Sequence, residues 1–183
     1  MRVIAGSARS IPLIAPAGLD TRPTSDKIKE TLFNMINFDL PGCVFVDLYS
    51  GSGAIGIEAL SRGAAHAYFV ENSKKAIECI KANVAKCKFS DDATIISRDV
   101  SDALYDIHDK ADIIFMDPPY ELGNEVAVMR QLLKSSIIKE DTLFIIESAL
   151  SKDFSDIEAL GFEIIKEKNY KSNKHTFFKA VTK

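Results

Sequence analysis

From residue 43 onward the chain alternates short apolar runs with amphipathic segments, and this rhythm leaves few folds open. Val44-Phe45-Val46-Asp47-Leu48 is a nearly continuous apolar run, the pattern of a strand covered on both faces. A helix is predicted for Ala54 to Ser61, then a strand at Ala67 to Glu71 and a helix from Lys74 to Cys87. Thr94 to Ser97 reads as the third strand, with a short helix around Val100 to Ile107. Asp112 to Met116 is the fourth, followed by a helix from Glu125 to Ser135, and Leu143 to Glu147 the fifth. Such alternation implies parallel strands joined by right-handed crossovers. Phe162 to Ile165 and His175 to Phe178 lie too close for a helical crossover and should pair antiparallel. The expected fold class is therefore α/β, a seven-stranded mixed sheet of five parallel strands plus a C-terminal antiparallel pair.

Upstream of the rhythm, Val3-Ile4-Ala5 and Ile11-Pro12-Leu13-Ile14 flank a small polar centre, as the arms of a β-hairpin do. Thr21 to Asp26 is a loop ending in helix-capping residues, with Thr24 the expected N-cap. Ile28, Leu32, Phe33 and Ile36 give the following helix an apolar stripe. The expected organisation is an appendage of hairpin, loop and helix over residues 1–40 and a main domain over 41–183. A chain of 183 residues buries roughly 70% of its extended surface, enough to need no disulfide or metal. Cys43, Cys79 and Cys87 have no ligand spacing and read as small core residues. His66, His108 and His175 form no triad or ligand pattern, and no chemistry is assigned to them. No signal-peptide core or bilayer-length apolar run is present, so a cytoplasmic monomer without membrane or metal partners is expected. The net charge of −3 argues against indiscriminate nucleic-acid binding while leaving room for a local basic face at the two ends.

Open α/β sheets bind ligands at the carboxyl ends of their strands. The first strand runs into Asp47-Leu48-Tyr49-Ser50-Gly51-Ser52-Gly53-Ala54-Ile55-Gly56, and the second ends at Glu71, twenty positions after Gly51. Gly51-x-Gly53-x-x-Gly56 followed by Glu71 also satisfies the dinucleotide fingerprint, so NAD is an alternative at this point. Three features lower it: the motif follows a basic appendage, no second domain remains for a hydride donor's substrate, and the fourth strand ends in Asp117-Pro118-Pro119-Tyr120.

That tetrad suits methylation of an exocyclic base amine. The amine lone pair is delocalised into the ring, so acceptors that grip its hydrogens favour the pyramidal, nucleophilic shape. The Asp117 side chain and the Pro118 carbonyl are such acceptors. Pro118 and Pro119 stiffen the turn by fixing φ, and Tyr120 can stack on an extruded base for about 1–3 kcal/mol.

The tetrad with the glycine turn resembles S-adenosylmethionine-dependent Class I methyltransferases, whose Rossmann-like sheet has the strand pattern above. The block Arg22-Pro23-Thr24-Ser25-Asp26-Lys27-Ile28-Lys29-Glu30-Thr31-Leu32-Phe33-Asn34 is similar to the segment ahead of the sheet in the bacterial 16S rRNA (guanine-N2)-methyltransferase D family. So are Asp47 to Ala64 and the opening Arg2-Val3-Ile4-Ala5-Gly6. The resemblance implies methyl transfer from S-adenosylmethionine to N2 of one guanine in 16S rRNA, within the small ribosomal subunit or its assembly intermediate. A DNA or other RNA adenine-N6 methyltransferase is the alternative. It implies cofactor contacts at Asp47, Tyr49, Ser50, Gly51, Ser52, Gly53, Glu71, Asn72, Asp99 and Val100, with Glu71 on the ribose and Asp99 on the adenine amine. Asp99 also has a plain alternative role as a helix N-cap. RNA contacts are expected from Arg9, Arg22, Thr24 and Lys27. The stretch Gly6-Ser7-Ala8-Arg9-Ser10 departs from the family, which has paired glycines and a further glycine there, and this puts the turn geometry near Arg9 in question.

Overall fold

The computed structural model describes residues 1–16, 25–119 and 123–181. Its elements are α1 (Asp26–Met35), β1 (Val44–Leu48), α2 (Ala54–Ser61), β2 (His66–Val70), α3 (Lys74–Lys86), β3 (Ala93–Ile96) and α4 (Val100–Ala103). Then come β4 (Ile113–Met116), α5 (Glu125–Leu132), β5 (Leu143–Ala149), α6 (Ser155–Glu158), β6 (Phe162–Asn169) and β7 (Asn173–Ala180). The seven strands form one sheet in the order β3-β2-β1-β4-β5-β7-β6. Strands β1 to β5 pair parallel, and β7 is antiparallel to both β5 and β6. This is the mixed sheet expected from the alternation. The strand order reverses between β1 and β4, and the crevice at that switch point is where such sheets bind ligands.

Alternation along the strands divides the core in two. Phe45, Phe69, Ile113, Phe115, Ile145 and Phe177 pack with α1, α2 and the N-terminal segment on one face. Val46, Leu48, Ile114, Met116, Phe144 and Phe178 pack with α4, α5 and α6 on the other. Every residue of α2 is buried, so its sequence is apolar all round except for Glu58 and Ser61.

Four expectations are corrected. The N-cap of α1 is Ser25, whose hydroxyl accepts from the Ile28 amide at 3.3 Å; Thr24 lies outside the described residues. Four-residue α6 was not expected at all, being too short for periodicity to show. Lys29, counted among the basic residues of the N-terminal end, is wholly buried. The hairpin is shorter than expected, with one antiparallel bridge between Arg2 and Pro12 and backbone bonds from the Val3, Leu13 and Ser10 amides to the Ile11, Met1 and Val3 carbonyls. Its first arm finds other partners: the Ile4 and Ala5 amides donate to the Glu58 carboxylate at 2.8 and 3.0 Å, and those of Ser7 and Ala8 to Ser61.

The turn in question sits tight against α2. Gly6 has φ +83°, and a Cβ there would stand 1.7 Å from the Ser61 carbonyl oxygen. Ser10 also takes a left-handed φ of 68°, which a glycine would adopt without strain. Gly6→Ala is therefore expected to destabilise the fold by more than ~1 kcal/mol, read from the chemical denaturation midpoint. An unchanged midpoint would mean that the turn does not dock on α2.

Candidate active site

The carboxyl ends of β1, β2, β4 and β5 each carry a carboxylate. Asp47, on β1, is 1% exposed, and its Oδ2 accepts from the Gly56 amide at 3.1 Å. The backbone between them turns through Gly51 and Gly53 at φ 56° and 77°, a conformation that side chains resist. Tyr49 takes φ 63° despite its bulk, a strained geometry of the kind found at functional turns. Ser50 ties the turn down, its hydroxyl donating to the carbonyls of Asp47 and Val70 at 2.6 and 3.2 Å. Ser52 is held through its carbonyl, which accepts from the buried Asn83; the same amide group also grips the backbone of Ile14. The glycine turn and the N-terminal segment thus share one anchor.

Glu71 follows β2. Its Oε2 accepts from the Gly51 amide at 2.8 Å and its Oε1 from the Asn72 and Ser73 amides at 3.0 and 2.9 Å. Asp99 occupies the N-cap position of α4, but its side chain makes no cap bond; it accepts instead from Asn72 Nδ2 at 2.6 Å. The two roles weighed for Asp99 therefore separate, the backbone serving the helix and the exposed carboxylate facing the cleft with Asn72. The Val100 side chain packs in the second core. So does part of Tyr49, whose hydroxyl burial pushes up, with Glu125 and Asp99 adding to the effect.

Asp117 follows β4, with Pro118 buried and Pro119 exposed behind it; Tyr120 lies outside the described residues. Burial raises the Asp117 carboxyl well above the usual carboxylate range, and the charges of Glu147 and Asp47 push the same way. Asp47 is driven from 3.8 to about 8, first by burial, then by Glu71, against the opposing Gly56 amide. Among the described residues, none of Asp47, Glu71, Asp99 and Asp117 pairs with a lysine or arginine. Among the described residues, the cleft is thus lined by acidic side chains with no basic partner.

The expected RNA-contacting residues fall elsewhere. Arg9 and Lys27 are exposed and line a cavity of about 370 Å³ with Arg2, Asp26 and Glu30; Arg22 and Thr24 lie outside the described residues. Sequence reasoning missed Glu58, Lys29, Asn83, Glu147 and His175. His175, given no chemistry, is wholly buried and bonds Glu147 Oε2 through Nε2 at 2.8 Å. A signal for two of them was present: Glu147 closes an apolar strand just as Asp47 does, and Glu58 stands alone in an otherwise apolar helix.

The sheet order, the glycine turn at the switch point and the acidic strand ends define a Class I methyltransferase fold. The chain belongs to the family described as conserved hypothetical protein 95, which it matches over residues 1–179. Ribosomal RNA small subunit methyltransferase D of Haemophilus influenzae is 32% identical over 173 residues, covering 92% of this chain and 88% of that protein. YlbH of Bacillus subtilis is 39% identical over 150 residues, covering 80% and 82%. Among solved structures, Escherichia coli yhhF superposes with a TM-score of 0.87 at 27% identity, covering 100% of this chain and 99% of its own. The family expected from the sequence is thus the one found. No helix among the described residues is long and apolar enough to cross a membrane.

Proposed function

We propose that this chain transfers a methyl group from S-adenosylmethionine to the exocyclic N2 of a guanine in 16S rRNA of the small ribosomal subunit. The observation that carries the reading is the convergence of a proton-avid Asp117 with the Asp47–Gly56 turn and Glu71 at one switch point. The relatives named ribosomal RNA small subunit methyltransferase D support the polymer, and the tetrad supports an amine as acceptor.

The residues suit the cofactor. Its ammonium and sulfonium are cations, and the socket offers buried or half-buried carboxylates with no lysine or arginine among the described partners. Asp47 and the turn from Tyr49 to Gly53 would hold the amino-acid part, Glu71 the ribose, and Asp99, Asn72 and Val100 the adenine end. When bound, the cofactor supplies an already activated methyl group. The protein's work is then positioning, which can lower a barrier by ~7–11 kcal/mol. Asp117 and the Pro118 carbonyl grip the amine hydrogens, and Asp117 then takes the proton that the methylated nitrogen sheds. Tyr120 would stack on the base, while Arg9, Arg22, Thr24 and Lys27 hold RNA around the 1–40 appendage, outside the 41–183 catalytic body.

The reading predicts tritium transfer from labelled S-adenosylmethionine to small-subunit particles lacking the modification, with N2-methylguanine after digestion. Label in N6-methyladenine would replace it with the alternative acceptor. Absence of label in particles and naked rRNA, from folded protein, would overturn it.

Asp47 adds a pH prediction. At neutral pH its carboxyl is mostly protonated, and an ammonium brought beside it favours the ionised form. Binding of S-adenosylhomocysteine should release close to one proton, seen as a buffer-dependent heat in calorimetry and lost in Asp47→Asn. The unliganded fold has the opposite linkage. Folded Asp47 keeps a proton that the unfolded chain gives up, so its contribution to stability is lost as pH rises from about 4 through 8.

A further inference from the structure

The pairing of β5 with β7 buries a polar chain that the proposed chemistry has not used. Glu147 is 5% exposed and His175 not at all. They are directly paired across the strands. Glu147 Oε2 bonds His175 Nε2, Glu147 Oε1 accepts from Asn173 Nδ2, and His175 Nδ1 meets the Tyr170 hydroxyl at 3.0 Å. Ring contacts with Phe115 and Tyr170 fix the imidazole further. A buried polar chain is costly unless its members are bonded, and apolar side chains at these positions would join β5 to β7 without it.

Its place in the fold suggests what it does. Strand β4 pairs with β5 so that Met116 lies beside Ile146, the last pair of the ladder, and continuing that register one step would bring the backbones of Asp117 and Glu147 to about the 4.8 Å strand spacing. Both are in phase with Phe115 and Ile145, so both emerge on the face that carries Asp47. We propose that Glu147, clamped by His175 and Asn173, is a positioning residue that holds a fixed carboxylate beside Asp117 and so makes Asp117 the acceptor of the proton released by methylation. This deepens the reading of Asp117 given above and rests on it.

The balance is simple. The amine nitrogen would gain the methyl carbon as the cofactor's carbon–sulfur bond breaks and neutral S-adenosylhomocysteine leaves; one N–H bond then breaks, and its proton passes to an Asp117 oxygen, converting carboxylate to acid before solvent removes it. A neighbouring fixed charge that cannot turn away raises the proton affinity of Asp117. Among the described residues, the titratable groups acting on Asp117 are Glu147 from β5 and Asp47 from β1, with His175 of β7 and Tyr170 standing behind Glu147. Both acting groups are acidic, and they raise it together with burial. Burial and Glu147 also push the Tyr170 hydroxyl up to about 12, so it stays a neutral partner for His175.

The test is Glu147→Gln, which keeps shape and removes the charge; its amide oxygen can still accept from His175, and the Asn173 amide has to turn its oxygen toward the new N–H. Carbon-13 NMR titration of the Asp117 carboxyl, assigned with Asp117→Asn, should show a midpoint lower by about one unit or more. On small-subunit particles kcat should fall about tenfold or more, with the acid limb of its pH profile moved to lower pH. KM for the particle and Kd for S-adenosylhomocysteine should stay within about threefold. An unmoved midpoint overturns the proposal, as does a lowered midpoint with unchanged kcat. If Glu147→Gln does not fold, His175→Gln, which still donates to Glu147, should retain kcat while His175→Leu loses it; equal loss in both overturns the assignment. A wild-type protein that methylates no RNA, yet shows the Asp117 midpoint shift, sinks the functional reading and leaves this coupling standing.

Discussion

Asp117→Ala is expected to lower methyl transfer by roughly 100-fold or more, the scale on which a positioned proton acceptor contributes. Affinity for S-adenosylhomocysteine should stay within about tenfold, or ~1.4 kcal/mol, because the cofactor contacts proposed above belong to other strands. Asp117→Asn should fall between the two, since its amide oxygen still accepts one amine hydrogen but takes no proton. Stability should move the other way. Burial and two neighbouring carboxylates disfavour the Asp117 charge, so either variant should melt higher than wild type. Loss of activity with a lower melting temperature would mark Asp117 as a structural cap instead.

The second large effect lies away from the cleft. Glu58→Ala should cost about 3–5 kcal/mol, because it strips the partner from a buried charge. Glu58 is fully buried and serves four donors: the Ile4 and Ala5 amides, Lys29 Nζ at 3.1 Å and Arg62 Nε at 2.9 Å. Lys29 is equally buried, and among the described residues the only other bond of its ammonium is to the Arg2 carbonyl at 2.6 Å. The variant should expose residues 1–16 to protease and hydrogen exchange before the sheet opens. Pairing it with Lys29→Met should recover part of the loss, since no uncompensated ammonium then remains. Full stability in Glu58→Ala would show that the N-terminal segment is held by its apolar contacts alone.

The strands and long helices were legible because burial on both faces imposes uninterrupted apolar runs, as in Val44 to Leu48 and Ile113 to Met116. The acidic strand ends were legible for a related reason. A carboxylate that ends such a run, like Asp47 or Glu71, breaks the apolar pattern at the strand end where such sheets bind ligands. What stayed hidden depends on contacts distant in sequence. Nothing near Ile4 says that its amide will seek Glu58, 54 positions further along the chain, instead of a hairpin partner. Lys29 looked like one more surface cation because burial of a lysine is decided by what covers it. His175 looked inert because its partners, Glu147 and Tyr170, are joined to it by strand pairing and a turn. Tyr120, Arg22 and Thr24 lie outside the described residues, so the stacking and RNA roles expected of them rest on the resemblance.

Helix α2 now has a meaning beyond packing. Its first turn begins at Gly53, where the cofactor turn closes, and its last residues, Glu58 and Ser61, hold the N-terminal segment. Eight residues of helix span roughly 12 Å. On the proposed function this helix is a ruler: it sets the offset between the surface that grips RNA and the point where the methyl group is delivered. A target nucleotide is then chosen by its distance from the grip as much as by its base.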